Sequence, residues 1–449
     1  MGARRSHVKR TRVEDTMHYV VLGAGPSGVV AAETLRKTDP NGTITLVSGE
    51  NEPPYSRMAI PYVLTGKIAE DGTYLRKAPG HYAALGIEVR HGLATRLDPD
   101  HKRIDFQDGS HLKYDRLLIA TGARPVRPPI PGLDLKNVHH CWTLEDTRNI
   151  VRLAEPNTHV VLMGAGFIGC IVLEALAARG VQLTVVEMGD RMVPRMMNPV
   201  AGTMIRTWCE KKGIRVLTST RIKSLQSVAA EKSRGIFGFF KRNQPTYESD
   251  TIDVELDSGE RIAAHLVVVS AGVTPNVDFL KDSGVKLDRG ILVDRYMRTS
   301  VNDVYAAGDV AQGYDFSTRE HDVHAIQPTA SEHGRIAAMN MAGQNVQYNG
   351  SLQMNVLDTV GLISSSFGLW AGVAGGDSVE VVDHDNYKYL SLQFQDDVLV
   401  GGTAIGLTQH IGALRGLIQA ERPLGPWKDR LKKDPHRIME AYVAHSQIK

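Results

Sequence analysis

Two short stretches hold the residues best placed to do chemistry. They are Val-Val-Leu-Gly-Ala-Gly-Pro-Ser-Gly, ending at Gly28, and Val-Leu-Met-Gly-Ala-Gly-Phe-Ile-Gly, ending at Gly169. In each, an apolar β-rich run meets a Gly-x-Gly-x-x-Gly turn and then a helical pattern. Glycines at that spacing allow a tight turn and close backbone approach, and the helix N-terminus that follows presents N–H groups to a pyrophosphate. Each turn is followed at a distance by an acid suited to a ribose, Glu50 in the first copy and Glu187 in the second. Glu50 stands a residue or two beyond the expected place, which Ser48 occupies. A carboxylate at Glu187 would repel a 2′-phosphate, so the second site suits NADH over NADPH, with Arg191 nearby as the complicating charge. The cysteines, Cys141, Cys170 and Cys209, have no metal-ligand or Cys-x-x-Cys spacing. No metal site is expected.

The elements that must position these residues repeat. Helical stretches Val29–Lys37 and Cys170–Ala178 are each followed by a strand, Thr43–Val47 and Gln182–Val186, completing two βαβ units. Ile104–Gly122 and Val254–Gly272 align without gaps, each a strand, an Asp/Ser-Gly turn, a second strand and a glycine three residues before Pro125 or Pro275. The expected fold is α/β, with two Rossmann-like dinucleotide-binding domains, each carrying an inserted β-meander. Residues 17–145 and 275–345 would form the first domain and 146–274 the second, with 229–250 as an insertion. From 346 to 449 the pattern turns to strands (Leu352–Val360, Val379–Val382, Tyr387–Phe394, Val398–Gly402) and then helices (Leu407–Ala420, Pro423–Tyr442), an α+β interface domain. Trp370 and Trp427 read as core or interface anchors there.

Charge and composition exclude other classes. The net charge is +2 over 449 residues, yet residues 1–16 alone hold five Arg or Lys against two acids. The body is therefore close to neutral, with no basic excess for nucleic acid. No apolar run is long enough to span a membrane, and the basic leader precedes no signal-peptide core. A cytoplasmic, reducing setting is the expectation.

Taken with Tyr305-Ala-Ala-Gly-Asp309 and Ala120-Thr121-Gly122, these motifs resemble those of the pyridine nucleotide–disulfide oxidoreductase superfamily. Within it, the branch of NADH:rubredoxin reductases, NADH oxidases, coenzyme A-disulfide reductases and nitrite reductase flavin domains is nearest. The resemblance implies two cofactors, FAD and NADH. It places Gly23, Gly25, Pro26, Ser27, Gly28, Glu50, Arg57, Ala120, Thr121, Gly122, Gly308 and Asp309 on FAD, together with Thr329 and Ala330 at the start of a helix facing the flavin. It places Gly164, Gly166, Phe167, Ile168, Gly169, Glu187 and Gly272 on NAD. The glutamate usual two residues after the last glycine is replaced by Ile171, and Glu174 one turn on reads as a surface ion pair. Met58, Tyr62 and His324 are candidates near the flavin, and His333 reads as a cap or a solvent-facing residue.

The loop Pro-Tyr-Ser-Arg-Met-Ala-Ile-Pro-Tyr, ending at Tyr62, decides between reactions. Members that reduce disulfides keep a cysteine where this chain has Met58, and a thioether forms neither thiolate nor disulfide. The expected enzyme therefore takes a hydride from NADH and passes electrons, without a cysteine relay, to an external redox protein such as a rubredoxin, ferredoxin or iron–sulfur partner. An NADH oxidase using O₂, an NADH:quinone reductase, and a redox-sensing interaction protein are the alternatives. A homodimer through the C-terminal domain is expected. The aromatic run at 235–242 reads as a tucked hairpin, with membrane or partner contact as the other reading.

Overall fold

The computed structural model describes residues 16–228 and 251–446. The leader and the insertion at 229–250 therefore lie outside the described residues.

Two five-stranded parallel sheets share one strand order. In the first, Val304–Ala306, Arg116–Ile119, His18–Leu22, Thr43–Ser48 and Ile87–His91 lie side by side. In the second the corresponding strands are Val138–His140, Leu266–Val269, His159–Met163, Gln182–Val186 and Arg215–Leu217. The inner strands are largely apolar runs because both of their faces are covered; Val20, Val21, Leu117, Val161 and Val267 are fully buried. The strand Val138–His140 belongs to the second sheet, so the expected boundary at 145 falls too late. That strand fills the place that Val304–Ala306 takes in the first sheet.

Each unit carries a three-stranded antiparallel meander, Ala94–Lys113 and Ile222–Ala264 in outline. The second apolar run of each repeated segment proves to be two strands. One closes the meander (His111–Lys113; Arg261–Ala264), and the next enters the parallel sheet (Arg116–Ile119; Leu266–Val269). Beyond these, Ala123–Pro125 and Val273–Pro275 pair as the two crossings between the units. Asn276 rivets that crossing: its Nδ2 donates to the Thr121 carbonyl at 2.9 Å, and Thr121 Oγ1 donates to the Asn276 carbonyl at 2.9 Å.

The C-terminal region is a five-stranded antiparallel sheet. The pattern reading missed its strand Leu362–Gly368, whose Ser-Ser-Ser centre lacks apolar alternation although Ser364, Ser365 and Ser366 are buried. Its helical tail is broken into Ile411–Ala420, Pro426–Lys433 and Ile438–Ser446. The sheet docks on the second unit, where Trp208 Nε1 donates to the Val360 carbonyl at 3.1 Å and Asn198 Nδ2 to Tyr389 Oη at 2.6 Å. Trp427 is half-buried against the core of this region, as an anchor should be.

Candidate functional site

At the carboxyl ends of the first sheet's strands the chain encloses a cavity of about 780 Å³. Clefts of that position and size are where open α/β sheets take ligands. The first glycine turn forms one wall, and its three glycines are required for different reasons. Gly23 has φ +121°, and a Cβ there would stand 2.1 Å from the Ala120 carbonyl oxygen. At Gly28 a Cβ would stand 1.8 Å from the Gly23 carbonyl, blocking the close seat of the helix Pro26–Thr38. A Cβ on Gly25 would meet nothing within 4 Å. The first and third glycines are thus dictated by the protein, whereas the middle one keeps open the space at the helix N-terminus. Ser27 Oγ, also in the cavity wall, is buried without a partner. An uncapped helix start, an open cradle and an orphan hydroxyl fit a pyrophosphate.

Around this cradle the cavity collects Gly23, Gly25, Pro26, Ser27, Glu50, Arg57, Met58, Ala120, Thr121, Gly122, Gly308, Asp309 and Ala330. Gly28 and Thr329 lie behind the wall. Gly334 lets the helix Gln327–Met341 cross the first helix closely, since a Cβ there would stand 2.2 Å from the Ser27 carbonyl. Asp309 makes no side-chain hydrogen bond to another described residue. Burial pushes its carboxyl up to about 6, against the opposing pull of Arg57. A polyol or phosphate hydroxyl donating to Asp309 would relieve that burden.

Glu50 and Arg57 hold each other. Arg57 Nη2 meets Glu50 Oε1 at 2.5 Å, Tyr55 Oη donates to Glu50 Oε2 at 2.7 Å, and Arg57 Nη1 donates to the Trp142 carbonyl at 2.6 Å. The guanidinium carbon also lies 5.1 Å from the Trp142 ring centroid. Expected as separate contacts to FAD, the two residues form one clasp. Trp142 was not legible as part of it, because it lies 85 residues from Arg57. Tyr55, Cys141, Asn276 and Gln327 are further cavity residues beyond the sequence reading or beside it.

The second fingerprint opens into the same cavity through Phe167, Ile168, Ile171 and Val172. Its glycines repeat the first pattern: Gly164 (φ +98°) and Gly169 would clash with backbone at 2.4 and 2.2 Å, while Gly166 faces open space. Gly164, Gly166, Gly169, Glu187 and Gly272 lie outside the cavity wall. Glu187 is buried, accepting from Ala165 N at 2.6 Å and Gly189 N at 2.7 Å. The guanidinium of Arg191 is committed elsewhere, to the Met197 carbonyl at 2.8 Å, the Pro194 carbonyl at 3.2 Å and Asp190 at 2.7 Å.

Other candidates are placed differently from the expectation. Tyr62 is 53% exposed and, like His324, is outside the cavity wall. His324 Nε2 is 2.7 Å from Asp315 Oδ2 in a buried pair. His333 is 1% exposed rather than solvent-facing, with both ring nitrogens unpartnered, and burial lowers its pKa to about 3. Glu174 forms no ion pair. It is half-buried, and burial with Asp358 across the interface raises its carboxyl, so it faces the C-terminal sheet and cannot replace the missing carboxylate at Ile171. All three cysteines are free and buried. Burial pushes the Cys141 and Cys209 thiols up to about 12 and Cys170 well above its ordinary value. Cys141 reaches the cavity wall, but as a thiol. Among the described residues no group of His, Cys, Asp and Glu could hold a metal, and no helix is long and apolar enough to cross a membrane.

Residues 17–337 match the profile described as pyridine nucleotide-disulphide oxidoreductase. The chain is 31% identical over 422 residues to the NADH-dependent phenylglyoxylate dehydrogenase subunit epsilon of Aromatoleum evansii, covering 93% of this chain and 95% of that one. To the rubredoxin-NAD(+) reductase of Ectopseudomonas oleovorans it is 26% identical over 415 residues, covering 90% and 99%. Among solved structures, a chain of the covalent putidaredoxin reductase–putidaredoxin complex has the same fold, with TM-score 0.84 at 22% identity over 96% of this chain and 99% of that one. A double glycine cradle, a shared cavity between two matched sheets and a family match over most of the length lead to one conclusion: the chain belongs to the pyridine nucleotide-disulphide oxidoreductase family, as an FAD-dependent oxidoreductase that works with NADH.

Proposed function

We propose that this enzyme oxidises NADH at FAD and hands the electrons directly to an external redox protein of the rubredoxin, ferredoxin or iron–sulfur type. When bound, FAD accepts the hydride and releases electrons. The protein binds, orients and shields. Gly23, Gly25, Ser27 and Gly28 would hold the pyrophosphate, Asp309 would take a polyol hydroxyl, and the Glu50–Arg57 clasp would fix the loop beside the cavity. Phe167, Ile168, Ile171 and Val172 would supply an apolar wall for the nicotinamide, so positioning there would rely on packing rather than on a carboxylate. Glu187 receives the adenosine ribose, and the commitment of Arg191 supports NADH over NADPH.

The observation that carries the reading is the absence of a usable thiol. Met58 occupies the flavin loop, and every cysteine is buried with its thiol pKa raised. The names of the relatives, a subunit of an NADH-dependent dehydrogenase and a rubredoxin reductase, support a protein acceptor. Steady-state NADH oxidation with a rubredoxin, a ferredoxin, a quinone and O₂ tests this. The expected ranking puts an iron–sulfur protein at least tenfold above quinone and O₂ in kcat/KM. Quinone or O₂ at the top would replace the reading with the corresponding reductase or oxidase, and no fast acceptor would favour a sensor.

The FAD unit would comprise the first sheet with its meander and the helix Gln327–Met341, and the NAD unit the second sheet with its own. Exposed Val356, Ile363, Met439 and Tyr442 on the C-terminal region support pairing of two chains. Light scattering should then give twice 49.2 kDa; a single-chain mass would contradict it.

A further inference from the structure

Three helices end on one guanidinium. Arg179, the residue that caps the helix Phe167–Ala178, donates from Nε to the Ala154 carbonyl at 2.8 Å and from Nη2 to the Val151 carbonyl at 2.6 Å. Its Nη1 donates to the Leu64 carbonyl at 2.9 Å. Val151 and Ala154 stand at the end of the helix Leu144–Leu153, which packs on the second sheet. Leu64 ends the short helix Ile60–Leu64, which lies in the chain between two strands of the first sheet, Thr43–Ser48 and Ile87–His91. Last-turn carbonyls have no partner within their own helix and carry the negative end of its dipole, so a planar fork of cationic donors suits all three. Packing follows the same line: Ile60 and Leu64 are buried in one apolar cluster with Ile150, Leu173 and Leu176. Just before this short helix, Arg57 and Met58 line the cavity. At the far end of Arg179's own helix of 12 residues, about 18 Å away by its rise, Phe167 and Ile168 line the same cavity. Arg148 makes a second tie, to Glu52 at 2.8 Å and Glu70 at 2.6 Å, but through exposed ion pairs that hold weakly.

We propose that Arg179 is a positioning residue for the hydride step. By gripping Leu64 it fixes the loop of Arg57 and Met58 against the helix of Phe167 and Ile168, and so sets the spacing of the two cofactor cradles. This rests on the FAD and NADH reading above. Arg179 is not in the cavity wall and acts only through the elements it joins. A displacement of about 1 Å between reacting groups can lower a rate on the order of a hundredfold, so a clamp at that distance has kinetic weight.

Two measurements on the FAD-loaded wild type, Arg179→Met and Arg179→Lys test this. Without NADH, hydrogen exchange read by mass spectrometry follows the amides of residues 60–68. Arg179→Met should exchange there about tenfold faster or more, because the Leu64 carbonyl is released, while exchange in both parallel sheets stays as in wild type. With NADH, anaerobic stopped-flow mixing reads the limiting rate of flavin bleaching. Arg179→Met should lower that rate about tenfold or more and leave NADH affinity within threefold of wild type. Arg179→Lys, whose ammonium reaches a carbonyl but cannot fork, should recover part of both effects. Unchanged exchange at 60–68 would remove the clamp. Faster exchange with a bleaching rate within twofold of wild type would overturn the positioning role, as would a slow rate accompanied by faster exchange throughout the sheets. Wild-type protein that binds no FAD, or whose FAD is not bleached by NADH, would instead overturn the cofactor reading.

Discussion

At the scale of single residues, the chemistry depends on which groups are left free inside the cavity. Asp309 is the clearest. Its carboxyl is raised to about 6 by burial, so the folded, FAD-free protein keeps a proton there that the unfolded chain releases near its ordinary value of 3.8. Its folded state holds more protons between those two values, and FAD-free stability is therefore lost as pH rises from about 4 to 6. FAD-free Asp309→Asn should melt above FAD-free wild type at pH 7.5, with the two converging at pH 4. Holding FAD, the variant should retain the cofactor about tenfold less tightly, as expected for loss of a charge-assisted bond. Equal melting temperatures at pH 7.5, or unchanged FAD retention, would remove Asp309 from the site. The sequence marked Asp309 through its Ala-Gly-Asp setting, and the glycines through their spacing. It did not mark Gln327 or Trp142, because a polar residue becomes a site residue only when a distant loop is folded against it.

Elements explain both what was legible and what was not. The two glycine turns declared themselves because strand, turn and helix follow one another locally, and each position has its own steric demand. The strand Val138–His140 was hidden for the opposite reason. Three residues with no turn chemistry gain strand character only by pairing with Leu266–Val269, far along the chain. His333 was misread for a similar reason: on the helix Gln327–Met341 it looks like one more polar position, yet the helix is buried on that side against Tyr348, whose ring lies 4.8 Å from its own. With its pKa lowered to about 3 from the usual 6.5, His333 stays neutral when folded while the unfolded chain takes up a proton. Stability linked to it is fully present above pH 6.5 and lost as pH falls toward 3, at about 1.4 kcal/mol per pH unit. His333→Leu should therefore lose less stability than wild type between pH 7 and pH 5 in denaturant titrations. Parallel losses in the two proteins would show that this ring does not titrate as its surroundings dictate.

For the whole molecule, duplication is the organising fact. Two sheets of identical order, each with a glycine cradle and a meander, face one cavity, and the Ala123–Pro125 and Val273–Pro275 crossings lock them there. That much followed from two repeated motifs in the chain. The C-terminal sheet was legible only in outline, since a buried strand of serines carries no hydrophobic pattern. The reaction proposed above rests on an absence: Met58 stands in the loop at the cavity, and all three cysteines are buried. An anaerobic titration with NADH, followed by bleaching of the flavin, reads that absence most directly. One NADH per FAD, with no long-wavelength band, is the result expected of a flavin that is the only two-electron store in the protein. Uptake of two NADH per FAD, accompanied by a thiolate–flavin band, would contradict the account.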